Sequence, residues 1–132
     1  MRRAVLIAVV SLLATTSSGS AATTQNLYAW ARETKPFVGV STRGLNYGPQ
    51  VARHVAPGRY RVRVVARSNL AFHLVGPGVD RQTRFTLELS SPVYETWRVA
   101  LRRGRYRYSA EGVYAKQLRA AGVRIAGSLA VP

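Results

Sequence analysis

Few residues of this 132-residue chain have side chains that could carry out chemistry. The chain contains no cysteine and two histidines, His54 and His73. Its acidic residues are few and widely spaced: Glu33, Asp80, Glu88, Glu95 and Glu111. A hydrolytic site needs a nucleophile, a base and an acid that orients the base, and no pair of these residues has the spacing of a known motif. The sequence therefore predicts no catalytic residue, no cofactor and no enzymatic activity.

The absence of cysteine also limits the metal chemistry. It excludes disulfides, thiolate nucleophiles, iron–sulfur clusters and every thiolate-bound metal. Two histidines without a third ligand of comparable strength make a weak metal site. Residual binding of copper or another metal through His54 and His73, or an electron-transfer role, is therefore the alternative and not the main prediction.

Basic residues dominate the charge of the chain. Its formal net charge is +15, and all of its basic residues except Lys35 and Lys116 are arginine. Seven arginines occupy outward positions of the predicted strands: Arg59, Arg61, Arg63, Arg98, Arg102, Arg105 and Arg107. Aligned on neighbouring strands, they would form one guanidinium-lined sheet face suited to phosphate or carboxylate oxygens. The alternative is that outward positions have to be polar and that this chain uses arginine for the purpose.

A basic face predicts adhesion to an anionic envelope polymer or an anionic lipid surface. Tyr28, Trp30 and Tyr47 could add stacking surfaces outside the core, of the kind that single-strand binders use. No known nucleic-acid-binding motif is present, so specific recognition of nucleic acid is not expected. The sequence does not identify a protein partner.

Strands are the elements that must position these residues. Alternation of apolar and polar residues indicates half-buried antiparallel strands at residues 59–64, 84–90, 96–102 and 105–108. Turn signals separate them: Pro57-Gly58, Gly76-Pro77-Gly78, Ser91-Pro92 and Arg103-Gly104. The segments "PGRYRVR" and "RGRYRYS" share Gly-Arg-Tyr-Arg, and we interpret them as the same strand start used twice.

About seven short strands predict an all-β, antiparallel Greek-key β-sandwich over residues 36–132. Residues 113–122 could form a helical turn or two, and residues 123–131 a last strand. Residues 23–35 have no strong periodicity and predict a linker or N-terminal arm, with at most one helical turn.

Residues 1–22 have the layout of a cleaved secretory signal. Arg2 and Arg3 precede an apolar run that is too short to span a bilayer, and Ser20 and Ala22 place small residues before a cut. The sequence therefore predicts a protein that is secreted, or located in the periplasm or on the exterior of the cell envelope. No transmembrane segment would follow the signal.

Two segments of the chain resemble the cupredoxins, specifically the small exported plastocyanin-like domains of bacteria. They are "APGRYRVRVVARSNLAFHLVGPGVDRQT" and "TWRVALRRGRYRY". The family pattern is a Gly-x-Tyr strand, then His-Asn-Phe-His-Leu-x-Gly-Pro-Gly-Val, a Thr-Trp strand and a second Gly-x-Tyr strand that ends in a cysteine. Phe72-His73-Leu74 and the Gly-Pro-Gly-Val block at residues 76–79 are the most specific matches. The resemblance implies a β-sandwich fold between about residues 51 and 119.

Family members that bind copper do so through two histidines, a cysteine and usually a methionine. Carried over one by one, these positions fall on apolar residues in this chain: Leu70, Ala110, Val113 and Leu118. The resemblance therefore implies a copper-free site whose pocket has become part of the core, because apolar side chains offer no lone pair to a cation. His73 matches a family histidine that does not bind copper. We expect an exported binding or structural module, monomeric or weakly self-associating, with the basic face as its contact surface.

Overall fold

The computed structural model describes residues 23–44, 51–85 and 91–132. These residues form eight strands and one short helix. In chain order the elements are β1 (Thr24–Ala31), β2 (Val38–Ser41), β3 (Gly58–Ala66), β4 (Ala71–Gly76), β5 (Val79–Gln82), β6 (Val93–Leu101), β7 (Gly104–Glu111), α1 (Val113–Ala120) and β8 (Ala126–Val131). The predicted signal peptide lies outside the described residues. Within the described ranges, no helix is long and apolar enough to cross a membrane.

The strands form two four-stranded sheets that make an all-β sandwich. Sheet A has the order β2-β1-β3-β6, and sheet B has the order β5-β4-β7-β8. All strand pairs are antiparallel except β1 and β3, which run parallel. The prediction of an antiparallel sandwich is therefore wrong at this pair. The chain passes through β2 and a long connection after β1, and β3 then enters the sheet beside β1 in the same direction.

The prediction of a linker or arm at residues 23–35 is also wrong. Residues Thr24–Ala31 form β1, an inner strand of sheet A that pairs with both β2 and β3. Leu27, Ala29 and Ala31 alternate toward the core and are almost completely buried. Alanine is only weakly apolar, so the sequence shows little contrast between the inward and outward positions of this strand. The sandwich therefore begins at β1 and not at residue 36.

The core lies between the inner faces of the two sheets. Period-two alternation within β3, β6 and β7 places Tyr60, Trp97 and Tyr106 inward, and each is buried. Phe72 lies at the centre of the aromatic contacts, with its ring centroid 6.1 Å from that of Trp97 and 5.7 Å from that of Tyr108. The prediction of a strand at residues 84–90 is wrong for the two of these residues that the structure describes. Arg84 and Phe85 are not in a strand, and residues 86–90 lie outside the described residues.

The two Gly-Arg-Tyr-Arg segments start β3 and β7 in the same way. Gly58 and Gly104 have φ values of 147° and 146°, a conformation that favours glycine. The tyrosine two residues later is buried in each case, and its hydroxyl donates a hydrogen bond to the carbonyl four residues upstream. Tyr60 Oη bonds to Ala56 O at 2.6 Å, and Tyr106 Oη bonds to Arg102 O at 2.9 Å. The interpretation of one strand start used twice is confirmed.

One open side of the sandwich is bridged by residues 51–56. The Ala52 N–H donates to Val40 O of β2 at 2.7 Å, and the Val55 N–H donates to Ala130 O of β8 at 3.1 Å. The Ala130 N–H in turn donates to Arg53 O at 2.9 Å. Because β2 and β8 are edge strands of different sheets, this segment forms hydrogen bonds with backbone groups that would otherwise be unpaired at the sheet edges.

The helix α1 follows β7 as predicted.

Candidate functional site

The four positions that match the family's copper ligands do not share one environment. Leu70 and Ala110 are buried, and Leu118 packs against the core from α1. Val113 begins α1 and is 73% exposed. The expectation that all four positions belong to the core is therefore wrong for Val113, because the turn at Gly112 directs the first residue of the helix away from the sandwich.

His73 lies on the outer face of sheet B and not in the core. Its Nε2 is 2.7 Å from Asp80 Oδ1, and its Nδ1 is 3.9 Å from Glu111 Oε2. The hydroxyl of Ser109, the cross-strand neighbour of His73 on β7, donates to Glu111 Oε2 at 2.5 Å. Sequence spacing gave no sign of this cluster, because strand pairing alone brings its members together. The serine hydroxyl is bonded to the carboxylate and not to the imidazole.

His54 lies far from this cluster along the fold. It forms an isolated bridge with Ala130 of β8, while His73 is on β4, with β7 between the two strands. Among the residues that the structure describes, no three histidine, aspartate or glutamate side chains are grouped so that they could hold a metal ion. The two histidines that the sequence offered for residual metal binding therefore belong to separate regions.

The seven outward arginines do not form one face. Consecutive strands β6 and β7 lie in different sheets, because the turn between them crosses from sheet A to sheet B. Arg105 and Arg107 therefore lie on the outer face of sheet B, and Arg102 lies in the turn itself. The prediction of a single seven-arginine face is wrong for these three residues.

The other four arginines do lie together, on the outer face of sheet A. We call them the arginine face: Arg59, Arg61, Arg63 and Arg98. Arg61 of β3 and Arg98 of β6 are direct cross-strand partners. Residues at alternate positions of a strand are ~7 Å apart, so the three arginines of β3 span ~13 Å. On the other side of β3, Asn26 is in register with Arg61, and Tyr28 is in register with Arg63.

Every aspartate and glutamate side chain among the described residues makes its polar contacts elsewhere in the fold. Asp80 and Glu111 lie with His73 on sheet B, and Glu33 accepts a hydrogen bond from Ser68 at 2.5 Å. Glu95 is on the inner side of β6, where it forms an ion pair with Arg84 at 3.4 Å. Within the described ranges, no arginine of the arginine face forms an ion pair with a carboxylate. The described residues therefore provide no carboxylate that neutralises the positive charge of this face.

Two of these carboxylates are held in the ionised form by hydrogen bonds. The Ser68 hydroxyl is the main cause of the lowered pKa of Glu33, and Arg67 and Arg32 add to it. Burial alone would raise the pKa of Glu95, but the backbone N–H of Arg84 and the indole of Trp97 outweigh it and lower the pKa. Their distances to the Glu95 oxygens are 2.8 Å and 3.0 Å. Both carboxylates serve the fold and not the arginine face.

The aromatic residues expected outside the core behave differently from one another. Trp30 is 2% exposed, its Nε1 donates to Pro36 O at 3.0 Å, and the Arg32 guanidinium lies 5.4 Å from its ring centroid. The prediction that Trp30 offers a stacking surface is therefore wrong, because residues 32–37 fold over its ring. Tyr28 is partly exposed beside Arg63, and Tyr47 lies outside the described residues.

A second basic feature, which the sequence did not predict, is a groove on the side of the sandwich where β2 and β8 approach. We call it the edge groove, and it has a volume of about 1130 Å³. Five basic residues line it: Lys35, Arg53, His54, Arg105 and Arg124. No aspartate or glutamate of the described residues lines the groove. Its basic residues are scattered over 90 positions of the sequence, so only the tertiary fold reveals the cluster.

Comparisons with known proteins give no further identification. No protein-family model, no curated protein and no solved structure matches this chain.

Proposed function

We propose that this chain is an exported, non-enzymatic binding module of the cupredoxin-like type, without copper, that attaches to anionic polymers through the arginine face. The observation that carries the proposal is the direct cross-strand pairing of Arg61 with Arg98 on a face that has no carboxylate among the described residues. Like charges placed directly opposite each other destabilise a sheet. This arrangement does not stabilise the fold, whereas it increases the affinity of the face for a multivalent anion.

The chemistry of the arginine face suits an extended anionic chain. Guanidinium groups bind phosphate, sulfate and carboxylate oxygens in a bidentate manner and lose little hydration when they do so. Three of them follow one strand at regular spacing, and the fourth lies beside the middle one. Partly exposed Tyr28 adds a flat surface at one end of the row. An anionic polymer of the cell envelope has the repeated charge that such a row would bind.

The cupredoxin-like assignment is supported by the positions that match the family's copper ligands. Phe72 and Ala110 are cross-strand partners, so Leu70 and Ala110 come to the same end of sheet B. Gly112, which precedes α1, lies close to Asn69, because a Cβ at position 112 would be 2.9 Å from Asn69 O. The start of α1 is therefore at that end of sheet B as well. A copper-binding relative needs its ligands to converge there. Apolar residues at these positions support a module that has no copper and no electron-transfer role.

Binding of the purified protein to dextran sulfate tests the proposal. The variant carries Arg59→Gln, Arg61→Gln and Arg63→Gln, and the control carries Arg102→Gln, Arg103→Gln and Arg107→Gln, which remove the same charge elsewhere. Far-ultraviolet circular dichroism establishes that both variants are folded. We expect the first variant to lose at least tenfold more affinity than the control. Equal losses in the two variants would show that net charge alone causes binding, and would overturn the proposal.

A further inference from the structure

We propose that the edge groove is a second anion site, separate from the arginine face, and that it takes a compact oligophosphate. The groove combines a concave shape with four permanent cations and a histidine, and its lining residues include no described carboxylate. Its volume of about 1130 Å³ far exceeds what a single inorganic phosphate fills. A ligand with several linked phosphates can reach cations on more than one wall. None of the groove's basic residues belongs to the arginine face.

The position of Tyr108 is the second observation that points to a ligand. This residue is 4% exposed, its ring stacks on Phe72 in the core, and it lines the groove. No hydrogen bond among the described residues involves its hydroxyl, and this atom is not one of the fully buried polar atoms, so it is accessible from the groove. Hydroxyls of buried tyrosines usually find a partner, as those of Tyr60 and Tyr106 do here. The Tyr108 hydroxyl is therefore a donor available to a bound group.

Gly127 explains how a core tyrosine reaches the groove. It is the cross-strand partner of Tyr108 on β8, the edge strand of sheet B. A Cβ at position 127 would lie 2.5 Å from Tyr108 Oη, so a side chain there would collide with the hydroxyl. Without a side chain at this position, the tyrosine extends across β8 to the sheet edge. The sequence thus leaves space for the hydroxyl at the floor of the groove.

The charge around this hydroxyl favours an anion. Burial raises the pKa of Tyr108, and the positive charge of Arg124 offsets only part of that effect. The hydroxyl therefore stays protonated and donates, instead of repelling an anionic group as a phenolate would. Arg124 lines the same groove, and its positive charge lowers the pKa of Tyr108. A guanidinium and a neutral hydroxyl donor therefore face the same part of the groove. Arg53 stands on the bridging segment that pairs with β8.

Isothermal titration calorimetry of the purified protein with sodium tripolyphosphate tests the proposal. We expect one binding event for tripolyphosphate and at least tenfold weaker binding of inorganic phosphate. Tyr108→Phe removes only the hydroxyl, and Arg124→Gln removes one groove cation. Each should weaken tripolyphosphate binding about tenfold, the effect of one hydrogen bond to a charged group. The control Arg103→Gln removes the same charge from the turn between β6 and β7, outside both sites, and should change the affinity less than twofold.

The outcomes separate the groove from the arginine face. The proposal is overturned if tripolyphosphate does not bind, if Tyr108→Phe has no effect, or if Arg103→Gln weakens binding as much as Arg124→Gln. The last result would mean that net charge, and not the groove, causes binding. Loss of dextran sulfate binding in the arginine-face variant, with tripolyphosphate binding unchanged, would support both sites as independent. Urea unfolding of Tyr108→Phe establishes that its core is intact.

Discussion

The pairing of Arg61 with Arg98 should destabilise the folded protein, and this effect can be measured. Directly opposite residues have their Cβ atoms ~5 Å apart, and the two guanidinium groups can splay to ~7 Å. Two like charges ~7 Å apart repel by ~0.6 kcal/mol in a water-like dielectric. Arg61→Gln or Arg98→Gln should therefore each raise the free energy of unfolding by about 0.5 kcal/mol at low salt. Either single substitution removes the whole repulsion, so the double variant should show no further increase in the free energy of unfolding from this cause.

Salt distinguishes charge repulsion from other effects of the substitutions. The Debye length is ~30 Å in 0.01 M salt and ~3 Å in 1 M salt, so the repulsion should persist in the first and nearly vanish in the second. Urea unfolding is the suitable assay, because urea adds no ions. The four proteins of the double-mutant cycle are measured at both salt concentrations. A matched cycle of Arg61 with Arg107, which lie on the outer faces of different sheets, provides the control.

The result that would refute this reasoning is specific. A coupling energy of zero at low salt, or one that does not change between 0.01 M and 1 M salt, would mean that the two guanidinium groups do not repel each other. The arginine face would then be a solvated exterior and not a strained binding surface. A coupling energy in the Arg61–Arg107 control equal to that of Arg61 with Arg98 would contradict the separation of the two faces.

Two further predictions concern the core and the acid limb of stability. Leu70→Ala should lower the free energy of unfolding by about 2–5 kcal/mol, whereas Val113→Ala should change it by less than about 0.5 kcal/mol, because the first is buried and the second is exposed; equal effects in urea unfolding would contradict these positions. Glu95→Gln should destabilise by about 1 kcal/mol at pH 7, because the carboxylate accepts hydrogen bonds from a backbone N–H and an indole. Since the pKa of Glu95 is lowered on folding, its contribution is present above ~4.3 and is lost as the pH falls through the folded value. Wild type and Glu95→Gln should therefore converge in stability near pH 3, and a constant difference down to that pH would contradict the prediction.

Much of the fold follows from local patterns in the sequence. Strict alternation identifies β3, β6 and β7, and glycine turns identify where β3 and β7 begin. Alternation tells which face a residue takes, but not which sheet its strand joins. That choice depends on packing between distant segments, which is why the sequence predicts the wrong face for Arg105 and Arg107. The sequence does not predict β1 for a different reason: two of its three core residues are alanines, which give little apolar signal.

The candidate sites were predicted unevenly. The outward position of each arginine of sheet A follows from period two, but the pairing of β3 with β6, which places Arg98 beside Arg61, does not. The edge groove depends on the approach of β2 to β8, on residues 51–56 and on the missing side chain at Gly127. No short sequence pattern encodes such a convergence. The side-chain contact of His73 with Asp80 follows from the hairpin of β4 and β5, of which the sequence predicts only the Gly-Pro-Gly turn.

The measurement that tests the central claim most directly is the salt dependence of dextran sulfate binding by the wild-type protein and the arginine-face variant. Each guanidinium that contacts an anionic group of a charged polymer releases counterions, which adds about 0.7–0.9 to the slope of log affinity against log salt concentration for nucleic acids. If Arg59, Arg61 and Arg63 all contact the polymer, their replacement by glutamine should reduce the slope by about 2 to 3. An unchanged slope, with both proteins folded, would show that the polymer binds elsewhere and would contradict the proposed function.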